Sequence, residues 1–239
     1  MPDIEATIDG ILFANGQSSW AAARDASTAP GGVNTTTLRS SNAVKVQRSA
    51  GRGGSTIYGI QRVILEFDTS AISSNPDSAT LKIYGFANGT ADLYVVRANL
   101  ATANAIVAGD FEPQGWTSGV DNSSNVYKLS SEVTTWSTSG YNEIALNGDA
   151  RTFMRTDNDF AVMLIEADYD LPNNAPASTL TVQSGMYFDT GGASFKPVLS
   201  YTLPSTAAYP NNVNGVATAD IGKINGIATA DIEKVNGVA

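Results

Sequence analysis

Carboxylates dominate the chemistry open to this chain, because its 239 residues include no His and no Cys. Without Cys there is no disulfide framework, thiolate zinc site or cysteine nucleophile. Without His, the commonest general base, the Ser-His-Asp triad and the usual catalytic zinc ligands are gone. What survives is a glycosidase-type carboxylate pair or oxygen-ligated calcium. The acids concentrate in "RTDNDF" and "IEADYDL", giving Asp157, Asp159, Glu166, Asp168 and Asp170. Hard oxygens at a strand end suit Ca²⁺, but the Gly and bidentate Glu of an EF-hand are missing at their spacings. Solvated loop charge is the default reading, and nothing marks two of these acids as a catalytic pair. The expectation is a protein that is not an enzyme, with calcium as the one cofactor its residues leave open.

Aromatic side chains are the other functional candidates, since exposed rings stack on sugar faces. Trp116, in "DFEPQGWTSG", sits in a Gly- and Pro-bearing loop and is the better platform; Trp20, in "GQSSWAAARDA", is the second. The competing reading for both is a ring folded down to cap the core. The glycine-rich "SAGRGGSTIYG" lacks the Walker Lys-Ser/Thr and a following helix, so it reads as a hairpin tip or loop.

The elements that must position these residues are strands. Charged residues make up 15% of the chain, and Gly, Ser, Thr and Asn stand where a helical protein carries Lys and Glu. "QRVILEFDTS" puts Val63, Leu65 and Phe67 on one face and Ile64 and Glu66 on the other. "SATLKIYGF" follows with Leu81 and Ile83 inward, then "ADLYVVRANL" behind an Asn88-Gly89 hairpin signal. "DFAVMLIEA" is apolar from Phe160 to Ile165, as a strand covered on both faces would be. "EATIDGILFANG", "NAVKVQRS", "STLTVQSGMYFD" and "KPVLSYTL" add further strands, the last alternating Leu199, Tyr201 and Leu203. One helix breaks the rhythm: in "NGDARTFMRTDND", Ala150, Phe153 and Met154 share a face, with Asn147 or Asp149 as cap. The fold class is therefore all-β, a jelly-roll β-sandwich with one short helix.

In order, "RVILEFDTSAI", "SATLKIYGF", "LYVVRA", a Trp-bearing loop, "LSSEVTTWSTSGYNEIAL", "FAVMLIEA" and "FKPVLSYTL" resemble the DNRLRE-type β-sandwich module. That family includes the disaggregatase-related carbohydrate-binding modules. The resemblance spans roughly residues 5–203 and rests on order and spacing. "IYGIQRV" and the loop from Ala101 to Asn125 depart from the family pattern, and Lys196 replaces its Arg. It implies a non-catalytic jelly roll, with Trp136 of "VTTWSTSG" in the core. Members occur in polysaccharide-active enzymes, surface proteins and phage virion proteins, so fold alone does not choose among roles.

Domain organisation follows: a sandwich over residues 1–203, a linker at 204–212 marked by "PSTAAYPNN", and a repeat tail at 213–239. The tail, "VNGVATADIGKINGIATADIEKVNGVA", writes an eleven-residue unit twice and begins a third. Its apolar sites Val213, Val216, Ile221, Ile224, Ile227, Ile232, Val235 and Val238 vary only between Val and Ile. Asn-Gly in each copy opposes a continuous helix; one helical turn per "TADIxK", stopped by Asn-Gly, is the expected form. So few copies cannot bury a core alone, which makes these residues docking or oligomerisation candidates, against the alternative of a low-complexity tail. The tail resembles those on virion proteins of marine bacteriophages.

A net charge of −9 opposes nucleic-acid and anionic-membrane partners. No run is long enough to span a bilayer, and "MPDIEATIDGILFANG" has no basic n-region, which predicts no export signal. The expected role is a virion structural protein, as capsid decoration or tail/fibre component. It would be assembled in the host cytoplasm with other virion proteins and self-associate, with a trimer as one form. The alternative is a carbohydrate-binding module that recognises host-surface or secreted polysaccharide.

Overall fold

Side-chain alternation builds the architecture around one long central strand. The computed structural model describes residues 2–35, 42–188 and 195–204, and the backbone of 223–224 and 227–228. Strand β5 (Thr56–Asp68) turns Val63, Leu65 and Phe67 into one core and Ile60 and Ile64 into another, all fully buried. It pairs with β2 (Ile8–Gln17) on one side. On the other side it pairs with β4 (Ala43–Ala50) along its first half and β9 (Asp159–Glu166) along its second. The flanks are β3 (Gly32–Asn34) on β2, β7 (Leu93–Arg97) on β9 and β10 (Leu180–Met186) on β4.

Strand β6 (Ser78–Gly89) organises the facing layer with β8 (Tyr141–Ala145), β11 (Val198–Thr202) and, beyond β11, β1 (Asp3–Glu5). Its far end pairs with β10, which joins the two layers into one antiparallel sheet folded on itself. Leu81, Ile83, Ile144 and Leu199 of this layer meet Val63, Phe67, Phe160 and Leu164 of the other. Each such fully buried side chain stabilises the fold by about 1.5–3 kcal/mol. The fold is all-β and sandwich-like, as the period-two segments require.

The second core lies on the outer face of β5 and β9. Met163 and Ile165 point there, opposite Phe160, Val162 and Leu164. Its cover is not a sheet. Helix α1 (Trp20–Arg24), a 3-10 turn at Ala108–Phe111 and the irregular chain through Val126 supply it. The loop from Ala101 to Asn125 thus roofs a core.

Two sequence expectations need correction. There are two α-helices among the described residues: α1 is capped by Ser19, whose hydroxyl accepts the Ala22 N–H, in addition to the expected α2 (Gly148–Thr156), capped by Asn147. The Asn88-Gly89 hairpin does not form. Strand β6 runs through Gly89 onto β10, and β7 crosses to pair with β9 instead. Burial explains the switch: Leu93, Val95 and Val96 are fully buried beside β9, a larger gain than a local turn supplies. Leu203, which extends the β11 alternation, lies 40% exposed beyond the strand.

Crossing strands leave tight spots. A Cβ on Gly85 would fall 1.7 Å from the Ser137 carbonyl oxygen. Gly85→Ala is therefore expected to cost about 1–3 kcal/mol through backbone displacement, read as a lowered urea midpoint with unchanged m-value.

The chain forms two compact units, Met1–Thr202 and Leu203–Ala239. Within the second unit, β12 (Lys223–Ile224) and β13 (Ile227–Ala228) pair antiparallel, Lys223 with Ala228 and Ile224 with Ile227. Only Asn225 and Gly226 separate them, a pair suited to the shortest hairpin connection. Lys223, the end of one "TADIxK" unit, is thus extended rather than helical. Apart from Leu203 and Pro204, the linker at 204–212 and the rest of that unit lie outside the described residues.

Candidate functional site

Three features gather polar chemistry, and the first is a buried charge network under the roof of the second core. Arg62 on β5 points into that core, where an unpaired guanidinium would be costly. Asp170, just past β9, receives it in a two-pronged bond, Nε at 2.8 Å and Nη2 at 2.7 Å. Arg62 Nη1 donates to the Phe111 carbonyl at 2.7 Å. Arg24, from the end of α1, donates to the carbonyls of Asp170, Val120 and Leu171 and pairs with Asp25. Arg24, Arg62 and Asp170 are all fully buried. Burial pulls the Arg24 guanidinium below its usual range, and Asp170 and Asp25 oppose that pull. Every nitrogen of both guanidinium groups has a protein partner, so the network ties α1, β5 and two loops together.

Glu166 closes the next turn of the same region. Its Oε1 accepts the Asp168 N–H, and its Oε2 accepts those of Tyr169 and Asp170 at 2.7 and 3.0 Å. It is 1% exposed. Burial raises its pKa to about 7, against the three N–H donors that favour the charged form.

The second feature is a polar groove of about 420 Å³ where β5 and β7 end and β9 begins. Glu66, Asp157 and Asp159 line it with Arg97, Gln114 and Asn158. Arg97 pairs with Asp157 at 2.9 Å and stacks 3.8 Å from the Phe153 ring centre. Glu66 is 1% exposed, and its Oε2 accepts the Asn104 N–H at 2.8 Å. Burial raises the Glu66 pKa; the Asn104 bond opposes this, and Asp159 and Asp110 add to it. No sequence signal distinguishes Glu66 from the other polar strand residues. Its site exists only where the loop at Asn104 folds back over β5.

No protein-family model matches this chain, and no curated protein does either.

Of the acids singled out by sequence, Asp157 and Asp159 share the groove, Glu166 and Asp170 are interior, and Asp168 joins a third feature. There Asp92, Glu132 and Asp168 bring one carboxylate oxygen each within 4.8 Å of the others. Burial first, then Asp168 and Glu132, raise the Asp92 pKa. Tyr94 Oη donates to Glu132 at 2.9 Å, with the Lys128 ammonium 4.3 Å from the Tyr94 ring centre. Such oxygens suit a hard cation, and Asp92 and Glu132 were not among the acids that sequence reading singled out.

All three tryptophans pack against the domain. The guanidinium carbons of Arg24 and Arg62 each lie 4.3 Å from the Trp116 ring centre, and the buried Trp116 Nε1 has no partner among the described residues. Trp20 donates to Asn173 Oδ1 at 2.9 Å and meets Tyr58 edge-on. Trp136 packs on the first core and donates to the Gly185 carbonyl at 2.9 Å. It also lines, with Tyr141 and Asn142, a second groove of about 440 Å³ along β8. Of the docking candidates, Ile224 and Ile227 face each other across the hairpin register. Val213, Val216, Ile221, Ile232, Val235 and Val238 lie outside the described residues.

Proposed function

We propose that this chain is a non-enzymatic structural protein of a virion, a rigid β-sandwich carried on a repeat tail that assembles it. The observation that carries the reading is the pairing of Ile224 with Ile227 around Asn225-Gly226. The sequence repeats that unit around Asn214-Gly215 and Asn236-Gly237. A hairpin of two residues per strand does not hold itself in water, so units of this kind gain stability by association. The domain supports the reading through its interior: long strands buried on both faces and a densely bonded buried charge network favour a rigid domain over a mobile active site. On the particle it would decorate the capsid or form part of a tail or fibre, assembled with other virion proteins in the host cytoplasm.

Light scattering coupled to size exclusion tests this on the full chain and on residues 1–203. The full chain is expected at a multiple of 24.9 kDa, a trimer being the simplest fibre-like form, and the truncated chain as a folded monomer. Identical oligomeric states would remove the tail from the account.

The second reading, glycan recognition, is favoured by the groove along β8, where Trp136 and the 40% exposed Tyr141 flank polar Asn142 and Ser137. Tyr141→Ala should then abolish retention on a glycan array without changing assembly. Trp116, set beside two guanidinium groups, is the less suitable stacking surface.

A further inference from the structure

The polar groove holds a charge imbalance that the packing of the domain does not resolve. A carboxylate that is almost fully buried is ordinarily matched by a cation. Asp157 has Arg97, but Glu66 and Asp159 form no ion pair among the described residues. Glu66 is withdrawn from solvent at the groove wall, and among the described residues a single backbone N–H, that of Asn104, donates to its carboxylate. Its neighbours Asp159 and Asp110 make that position more negative still. The missing counter-charge therefore has a route of entry, the groove itself, and two carboxylates to receive it.

The remaining lining says what kind of cation fits. Ala98, Leu100, Ala103 and Ala161 form a small, apolar stretch beside the carboxylates, and Gln114 and Asn158 add amide oxygens. A calcium ion seeks six to eight oxygen ligands, and the small apolar residues supply only backbone carbonyls toward that number. A primary ammonium needs three acceptors and carries methylenes that lie comfortably along alanine and leucine. We infer that this groove receives a primary alkylammonium group, its nitrogen between Glu66 and Asp159 and its alkyl chain along Ala98, Leu100 and Ala161. The same chemistry is offered by a lysine side chain of a partner protein and by a free polyamine.

The test is a titration of the full chain followed through backbone amide NMR shifts. Cadaverine is expected to move Asn104 and the amides of 98–100 saturably, whereas 1-pentanol, its neutral analogue, leaves them in place. Glu66→Gln, which keeps an acceptor for Asn104, and Asp159→Asn, at the groove wall, should each weaken cadaverine binding about tenfold or more. Acetyl-lysine methylamide separates the sources: binding as tight as cadaverine assigns the site to a partner's lysine, and binding of cadaverine alone assigns it to a polyamine. The inference is overturned if cadaverine gives no saturable shift or if pentanol matches it. It also fails if both variants bind as well as the unaltered chain, or if calcium chloride alone saturates the same amides at lower concentration.

Discussion

Asp170→Ala is expected to lower the unfolding free energy by about 3–5 kcal/mol, the cost of leaving the buried Arg62 guanidinium without its carboxylate. The carboxylate accepts both prongs of Arg62, and the Asp170 carbonyl accepts Arg24 Nε. Removing the side chain strands the Arg62 guanidinium in a core lined by Phe111 and Trp116 and leaves two cations facing each other there. Asp170→Asn separates charge from shape, since the amide retains one acceptor but places an NH₂ against the other guanidinium nitrogen. It should lose more than half of what the alanine variant loses. Arg62→Met leaves the Asp170 carboxylate with Arg24, 3.9 Å away, as its cation, and should cost less than Asp170→Ala. Equilibrium urea unfolding of the three variants gives the comparison. Equal stability of Asp170→Ala and the unaltered chain would mean that the network is hydrated in solution.

That network also shows where sequence reading stops. Arg24, Arg62 and Asp170 stand 38, 108 and 146 positions apart in their pairwise bonds. No local period or motif can bring such residues together; only the completed β5–β9 pairing and the roof of loops do. The strands themselves were readable because alternation is local. Val63, Leu65 and Phe67, or Phe160, Val162 and Leu164, declare a buried face within six residues. The second helix had readable signals too, Ser19 as cap followed by an alanine run, but its five residues hardly exceed a single turn. Asn88-Gly89 misled because turn propensity is worth little beside the burial of Leu93, Val95 and Val96 on β9. Trp116 had two readings, an exposed platform and a ring capping the core, and loop composition could not choose between them before the loop was seen to cover the second core. The polar groove was half readable. "RTDNDF" marked Asp157 and Asp159, while Glu66 looked like an ordinary outward strand position until Asn104 closed over it.

Glu166 makes the fold pH-dependent in a direction opposite to that of most paired carboxylates. Its pKa is about 7 in the folded chain, against an ordinary value of 4.5. Between those two values the folded state holds a proton that the unfolded state has released, so stability falls as pH rises through that window and levels off above it. A gap of that size corresponds to about 3 kcal/mol, with other groups superimposed on the absolute curve. Comparison with Glu166→Gln isolates the contribution, because glutamine resembles the protonated acid: one oxygen still accepts from Tyr169 and Asp170, and the other position no longer accepts from Asp168. The two proteins should unfold with similar free energies at pH 4.5, and the glutamine variant should gain steadily on the parent up to about pH 7. Thermal or urea unfolding at five or six pH values measures the difference. A difference that stays constant across the range would show that the three backbone N–H donors outweigh burial and keep Glu166 ionised throughout. Glu166→Ala should be worse than either at every pH. It abandons three N–H groups in the 166–170 turn, each costing about 1–3 kcal/mol when left unpaired in the interior, and that turn is what holds Asp170 under Arg62.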